Sequence, residues 1–458
     1  MTPRTRTKTW RLRASVAAAA TICSAAVQSQ TATATAATAA TAASAGAGST
    51  DAAAGRLNLR QVFDAAWARQ PEALALQERR DAARAQQSAA KTWTPEPAAV
   101  ELSNKTDRLN RNHGARELEV GVAVPLWLPG ERSRSAALAD AEGAAIESRA
   151  TAAQLRVAAT VREAWWQWQR ARIDVDSARD QFDNARRLAA DVARRTKAGD
   201  LARADQHQAD GAVASAEAGR AQAGAGLAAA RQHLRALAGA APAPGEGAGT
   251  SAEPDPDTAA ADVEAHAGLQ ELKDRAAVAE RTVALTATQS RANPELMLAT
   301  TRDRGAFGEA SRQTITLGIR IPFGGGPRHA ARSANARAEA TEIQARLALE
   351  RDRLTADREA AQVRVEAART QLTAAERRAQ LARESRGFFD KSFRLGETDL
   401  PTRLRIEAEA AEADRQAAHT RIELAAAISA WRQALGLLPH DAPMTPQRRL
   451  SDASVTPR

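Results

Sequence analysis

Residues 117–136 read ELEVGVAVPLWLPGERSRSA: Leu118, Val120, Val122 and Val124 alternate with Glu119, Gly121 and Ala123, and a proline-bounded corner follows. Strict alternation puts the aliphatic side chains on one face of a strand and the small or charged ones on the other. The pattern returns at 314–333, TITLGIRIPFGGGPRHAARS. After each corner the period changes. Val161, Ala164, Trp168, Ala171, Val175, Ala178, Phe182, Ala185, Ala189 and Val192 step by threes and fours, the seam of a coiled coil. Val365, Ala368, Leu372, Ala375, Ala379, Ala382 and Phe389 continue the rule after the second corner. No proline interrupts Glu131 to Lys197, so this stretch predicts one helix about 100 Å long at ~1.5 Å per residue.

These elements belong to a repeat with a constant offset. Pro97 and Pro294, Leu118 and Ile315, Pro125 and Pro322, Gly199 and Gly396, and Gly239 and Gly436 each stand 197 positions apart. One offset serving strand, corner, mid-helix glycine and terminal glycine indicates a duplicated unit. Each unit predicts a first helix (about 57–92 and 260–291), then a strand just past Pro97 or Pro294. A hairpin loop follows (NKTDRLNRNHGA; RDRGAFGEASR), then the alternating strand, the corner and two long helices that reverse at a glycine. The fold class is mainly α with a small β part, built from a duplicated helix–strand–strand–helix–helix unit. The first repeat spans 56–239 and the second 259–438, divided by a Pro/Gly/acidic linker at 240–258. A Thr/Ala/Ser/Gly leader fills 27–55, and a Pro-rich tail, expected to be disordered, fills 439–458.

Composition supports long helices over a bulky core: aromatics are 3% and tyrosine is absent. The net charge of +9 invites a nucleic-acid reading, but Arg4, Arg6, Lys8, Arg11 and Arg13 crowd the N-terminus; setting them aside leaves 59 basic against 55 acidic residues. Those charges are interspersed along the helices, so no basic stripe for nucleic acid exists. The basic start, the apolar stretch around Ala14–Cys23 and the small residues near Ala26 read as a signal peptide over 1–26. Ile22 stands where a lipobox calls for Gly, Ala or Ser, so acylation of Cys23 is not expected, and with no other cysteine a disulfide is not expected either.

Four strands with one aliphatic face cannot stand alone, because two edges stay open. An aliphatic outside with Glu117, Glu119, Gly121, Thr314, Thr316 and Arg320 on the other face matches a lipid-facing exterior and a wet lumen. Closed bacterial barrels begin at about eight strands, so several chains must share one barrel. Trp127, Phe323 and Trp93 are placed near the membrane interface. The duplicated unit, the corners VPLWLPG and IPFGGGPR and the tip FRLGETDL together resemble the TolC family of outer-membrane efflux proteins, over about residues 57–438. The resemblance implies a homotrimer whose 12-stranded barrel sits in outer-membrane lipid and continues into an α-helical barrel across the periplasm. It implies docking on a periplasmic adaptor and an inner-membrane pump of the RND type, and a passive exit duct for small molecules or metal cations. Members with such corners resemble the outer components of heavy-metal exporters.

No catalytic constellation, cofactor motif or metal-ligand spacing is found; His113, His207, His233, His266, His329, His419 and His440 are scattered. FGGGPR lacks the spacing of a phosphate-cradling loop. The corners are Pro125, Trp127, Pro129 and Gly130, and Pro322, Phe323, Gly324, Gly325, Gly326 and Pro327, with Pro327 expected to start the second long helix. Trp165, Trp166 and Trp168 form a cluster in which only Trp168 lies on the seam. By resemblance the adaptor-docking tips are Lys197, Gly199, Asp200 and Leu201, and Arg394, Leu395, Gly396, Glu397 and Asp399. Relatives carry acids six and nine positions after the second tip glycine, forming a cation-selective ring. Here those positions hold Thr402 and Arg405, while Asp205 occupies the matching place of the first repeat. Arg405 would repel cations unless paired with Asp205 or Glu407. The competing reading is a secreted or periplasmic coiled-coil scaffold without channel activity.

Overall fold

The computed structural model describes residues 58–110, 112–239, 252–256 and 262–440. The signal segment with Cys23, the leader, most of the linker and almost all of the tail lie outside the described residues. Asn58, the first described residue, makes a reciprocal cap: its Oδ1 accepts the Gln61 N–H at 2.7 Å and Gln61 Oε1 accepts the Asn58 N–H at 3.0 Å. Helix α1 (Leu59–Trp67) follows, then α2 (Pro71–Leu74) and α3 (Leu76–Ala90). The pattern over 57–92 predicted one helix; Pro71, which has no N–H to donate, breaks it. Strands β1 (Ala99–Thr106) and β2 (Arg116–Pro125) lead into α4 (Glu131–Ala198) and α5 (Arg203–Ala238).

The second repeat begins with one 3-10 turn at Val263–Ala265, then α6 (Ala267–Thr288), β3 (Glu295–Arg304), β4 (Arg312–Arg320), α7 (Gly326–Arg394) and α8 (Leu400–Ala434). The two long helices have 68 and 69 residues, about 100 Å each. Helix α7 starts one residue before Pro327, because Gly325 caps it at φ 98° and Gly326 takes the first turn; Pro327 is its second residue.

The four strands form one antiparallel sheet in the order β1-β2-β3-β4. Val122 faces Val100 on one side and Leu298 on the other, so the aliphatic positions share a face. The first strands carry an offset of 196 rather than 197: Val100 sits in the sheet as Leu296 does and Leu102 as Leu298 does, one residue out of step with Pro97 and Pro294. That slip keeps the apolar face continuous, since a strand moved by one residue turns its whole pattern over.

The seam is the packing line of the hairpins. Val161, Ala164, Trp168, Phe182, Ala189 and Val192 are buried on α4, and Val365, Ala368 and Ala379 on α7. Alanines let helix axes approach closely, and α4 packs on α5 as α7 packs on α8. Instead of one core, separate apolar clusters lie along the helices. The largest gathers Leu59, Val62 and Phe63 of α1 around Trp165, Trp166 and Trp168, with Leu234 from α5 and Ile422 from α8. The two tryptophans that leave the seam therefore receive the N-terminal helix.

Candidate functional site

Three places along this elongated unit carry the functional candidates: the strand face, the corners and the helical tips. On the strand face Val100, Leu102, Val120, Val122, Leu298, Ile315, Leu317 and Ile319 are all exposed. An aliphatic surface this continuous is unstable in water and suits hydrocarbon. The opposite face is polar and cross-linked by charge: Lys105 meets Glu117 at 2.8 Å and Arg320 meets Glu295 at 3.0 Å. At the far end the two hairpin loops are tied together. The Phe307 N–H donates to the His113 carbonyl at 2.9 Å, and Arg304 Nε donates to the Gly114 carbonyl at 3.2 Å. Gly114 has φ +93°, and a side chain there would run into Phe307.

The corners are where the polypeptide changes from sheet to helix. Gly130 (φ 78°) and Gly325 (φ 98°) take the left-handed turn that begins each long helix. Trp127 is half-buried and its Nε1 donates to the Thr92 carbonyl at 3.2 Å, whereas Trp93 and Phe323 project freely at 92% and 87% exposure. Their position at the base of the aliphatic face suits aromatic rings at a membrane interface. Glu131 is a corner residue that pattern reading missed. It is buried at the first turn of α4, where its carboxylate accepts from the Leu128 N–H (3.0 Å), Gln289 Nε2 (2.8 Å) and Asn293 Nδ2 (3.0 Å). A carboxylate is favoured at a helix N-terminus, and this one fastens the first corner to the end of α6.

The tips repeat in atomic detail. Gly199 (φ 89°) ends α4 with the Asp200 N–H on the Arg195 carbonyl at 2.9 Å; Gly396 (φ 80°) follows α7 with the Glu397 N–H on the Ser392 carbonyl at 3.0 Å. Both are the six-to-one closure that a left-handed glycine permits. Lys197, Asp200, Arg394, Leu395, Glu397 and Asp399 are exposed around them. Leu201 is instead half-buried, in a cluster with Phe393, Leu400, Leu188 and Val192 that joins the two tips. Phe393 lies between two guanidinium groups, Arg195 at 5.0 Å and Arg403 at 4.7 Å from its ring centre.

The three constriction candidates have distinct roles here. Asp205 Oδ2 accepts the Ala202 N–H at 3.0 Å and caps α5. Thr402 gives its backbone N–H to Asp399 at 3.3 Å, the corresponding cap of α8. Arg405 is exposed and bonds Glu409 at 2.6 Å, one turn along its own helix, and not Asp205 or Glu407, the acids that would have offset its charge. Glu407 is taken by Asn184 at 3.1 Å and Arg386 at 3.6 Å.

A charged node was also unforeseen. Glu253, in the segment read as a linker, is 3% exposed. It receives Arg162 of α4 at 2.7 and 2.9 Å, Arg432 of α8 at 3.2 Å and the His440 N–H at 3.2 Å. Arg162 also reaches Gln433 Oε1 at 2.6 Å and the Leu437 carbonyl at 3.1 Å. Two residues on, Asp255 pairs with Arg369 of α7 at 2.8 Å. The segment is thus a strap across three helices rather than a mere divider. Nearby, Arg351 and Lys273 converge on Glu264 and hold its carboxyl down at about 2. His266 caps α6 by accepting the Gly268 N–H on Nδ1 at 3.2 Å, and burial lowers its pKa below the usual histidine value.

Among the described residues no three His, Cys, Asp or Glu side chains gather as a metal-ligand group, and no helix is long and apolar enough to cross a membrane. No protein-family model and no curated protein matches the chain. Solved structures do. The chain superposes on the outer membrane protein VceC of Vibrio cholerae with a TM-score of 0.66 at 17% identity, covering 82% of this chain and 96% of that one. For CusC, whose structures describe transmembrane channel formation, the TM-score is 0.69 at 15% identity, over 83% of this chain and 92% of that one. For the open state of the Neisseria gonorrhoeae MtrE outer membrane channel the values are 0.65, 14%, 83% and 89%. The chain has the TolC-like fold of these outer-membrane channels.

Proposed function

We propose that the protein is a passive exit duct of the outer membrane, one component of a tripartite efflux system. The observation that carries this reading is the exposed aliphatic face of a four-stranded sheet with two open edges, set on two helices each about 100 Å long. Three copies would close the sheet into 12 strands in lipid, and their hairpins would form the periplasmic tunnel. The exposed tip residues around Gly199 and Gly396 would meet a periplasmic adaptor, which couples the duct to an inner-membrane pump. Arg405, exposed just beyond the second tip, would face the tunnel axis. A ring of arginines there favours anionic or neutral cargo over free metal cations, despite the corner resemblance to metal exporters.

Fractionation with heat-modifiability tests the reading. The mature protein is expected in the outer-membrane fraction as a trimer that runs as monomer only after heating, and purified trimer should conduct ions across a planar bilayer. A soluble cytoplasmic product, or a trimer with no conductance, would overturn it.

A further inference from the structure

The internal repeat, together with contacts already made inside one chain, bears on how a second copy would dock. Within the chain α4 packs on α6 and α8, while α5 and α7 lie at the two outer flanks of the row α5–α4–α8–α7. Helix α4 of the first repeat corresponds to α7 of the second, α3 to α6, and α5 to α8. The seat that α6 and α8 give to α4 therefore has a repeat-related counterpart on α3 and α5, whose natural occupant is α7 of another copy. Two exposed apolar residues mark the unfilled half. Val363 is 64% exposed although its repeat mate Trp166 is 3% exposed, and Leu349 is 69% exposed against 2% for its mate Ala152.

We propose that α7 of one copy seats against α3 and α5 of the next, reproducing the α4 seat, and that a charge pair absent from the single chain locks this junction. This rests on the trimeric reading above. The pair comes from the buried node. Arg162 of α4 and Arg432 of α8 share one carboxylate, that of Glu253, which brings two like charges together. Their repeat mates are Glu359 on α7 and Arg235 on α5. One charge has changed sign, so Glu359 of one copy can bond Arg235 of the next directly, with no bridging acid. Both are exposed, and neither has an ion pair among the described residues. Here a contact seen inside the chain becomes a complementary pair between copies.

The strands agree with this docking. The β2–β3 pairing sets Val122 opposite Leu298. Carried over with the strand offsets, it sets Ile319 of β4 opposite Leu102 of β1 in the next copy, aliphatic against aliphatic. Because α7 and the α3–α5 seat are different surfaces, the contact is head-to-tail and closes only as a ring.

Paired cysteines and charge swaps test the junction. Glu359→Cys with Arg235→Cys, in a Cys23→Ser background, should give disulfide-linked dimers and trimers after oxidation in isolated outer membranes, with each single cysteine as control. Glu359→Arg should lower the temperature at which the trimer falls to monomer, and adding Arg235→Glu should restore it. A wild-type chain that forms no trimer would sink the trimeric reading itself. A wild-type trimer that neither cross-links through this pair nor responds to the charge swap would overturn the proposed junction and leave the trimer standing.

Discussion

Glu264 sits where the second repeat begins, and its chemistry is set by two cations rather than by burial. Arg351 Nε lies 2.6 Å from Oε1 and Lys273 Nζ 2.6 Å from Oε2, which is why the carboxyl titrates at about 2 instead of its ordinary 4.5. A folded-state value below the unfolded one means stability that is complete above about pH 4.5 and lost as pH falls toward 2. The melting temperatures of wild type and Glu264→Gln in detergent should therefore differ by a constant amount at neutral pH and converge below pH 4.5. A gap that persists unchanged at pH 3 would show that charge pairing is not what Glu264 contributes. Neither this cluster nor the Glu131 corner could be read from pattern. Each depends on residues brought together across distant parts of the chain, and Gln289 and Asn293 carry no sequence mark of their task.

At the scale of elements, periodicity was informative wherever one face of a long element is buried against a like partner. The seam from Val161 to Val192 and the reversals at Gly199 and Gly396 follow directly from apolar spacing and left-handed glycine. Reading failed where a short segment is held by side chains instead of periodic packing. The strap shows the difference: its Pro/Gly/acidic composition speaks for a linker, yet Glu253 is enclosed by Arg162 and Arg432. Removing one member of a buried ion cluster leaves unpaired charge and costs about 3–5 kcal/mol, whereas replacing the whole cluster by apolar residues is often near neutral. Glu253→Ala should therefore destabilise more than the triple change Arg162→Met, Glu253→Met and Arg432→Met, as read from urea unfolding of the detergent-solubilised protein. The opposite order would mean that the strap is held chiefly by its prolines and backbone, with the ions incidental.

For the whole molecule, if three chains enclose a duct as proposed, the decisive quantity is the field along its axis, which one exposed residue per chain can set. Among the described residues Arg405 has one ionic partner, Glu409, on its own helix, and both side chains are more than half exposed. Such a pair is weak, because solvent screens it and long side chains lose entropy in holding it. Three guanidinium groups gathered around an axis would each be partly compensated by their own glutamate, yet the arginines would lie closer to the tip. Reversal potentials across a planar bilayer under a KCl gradient measure the result. Wild type should be anion-preferring or weakly selective, and Arg405→Asp should shift preference toward cations, since it removes three positive charges and adds three negative ones beside the three Glu409 side chains. Glu409→Gln, which frees the arginine, should move selectivity the other way. Opposite shifts from these two substitutions would place the pair on the conduction path; selectivity identical in all three proteins would put Arg405 on the outer wall, where its charge could only meet the adaptor.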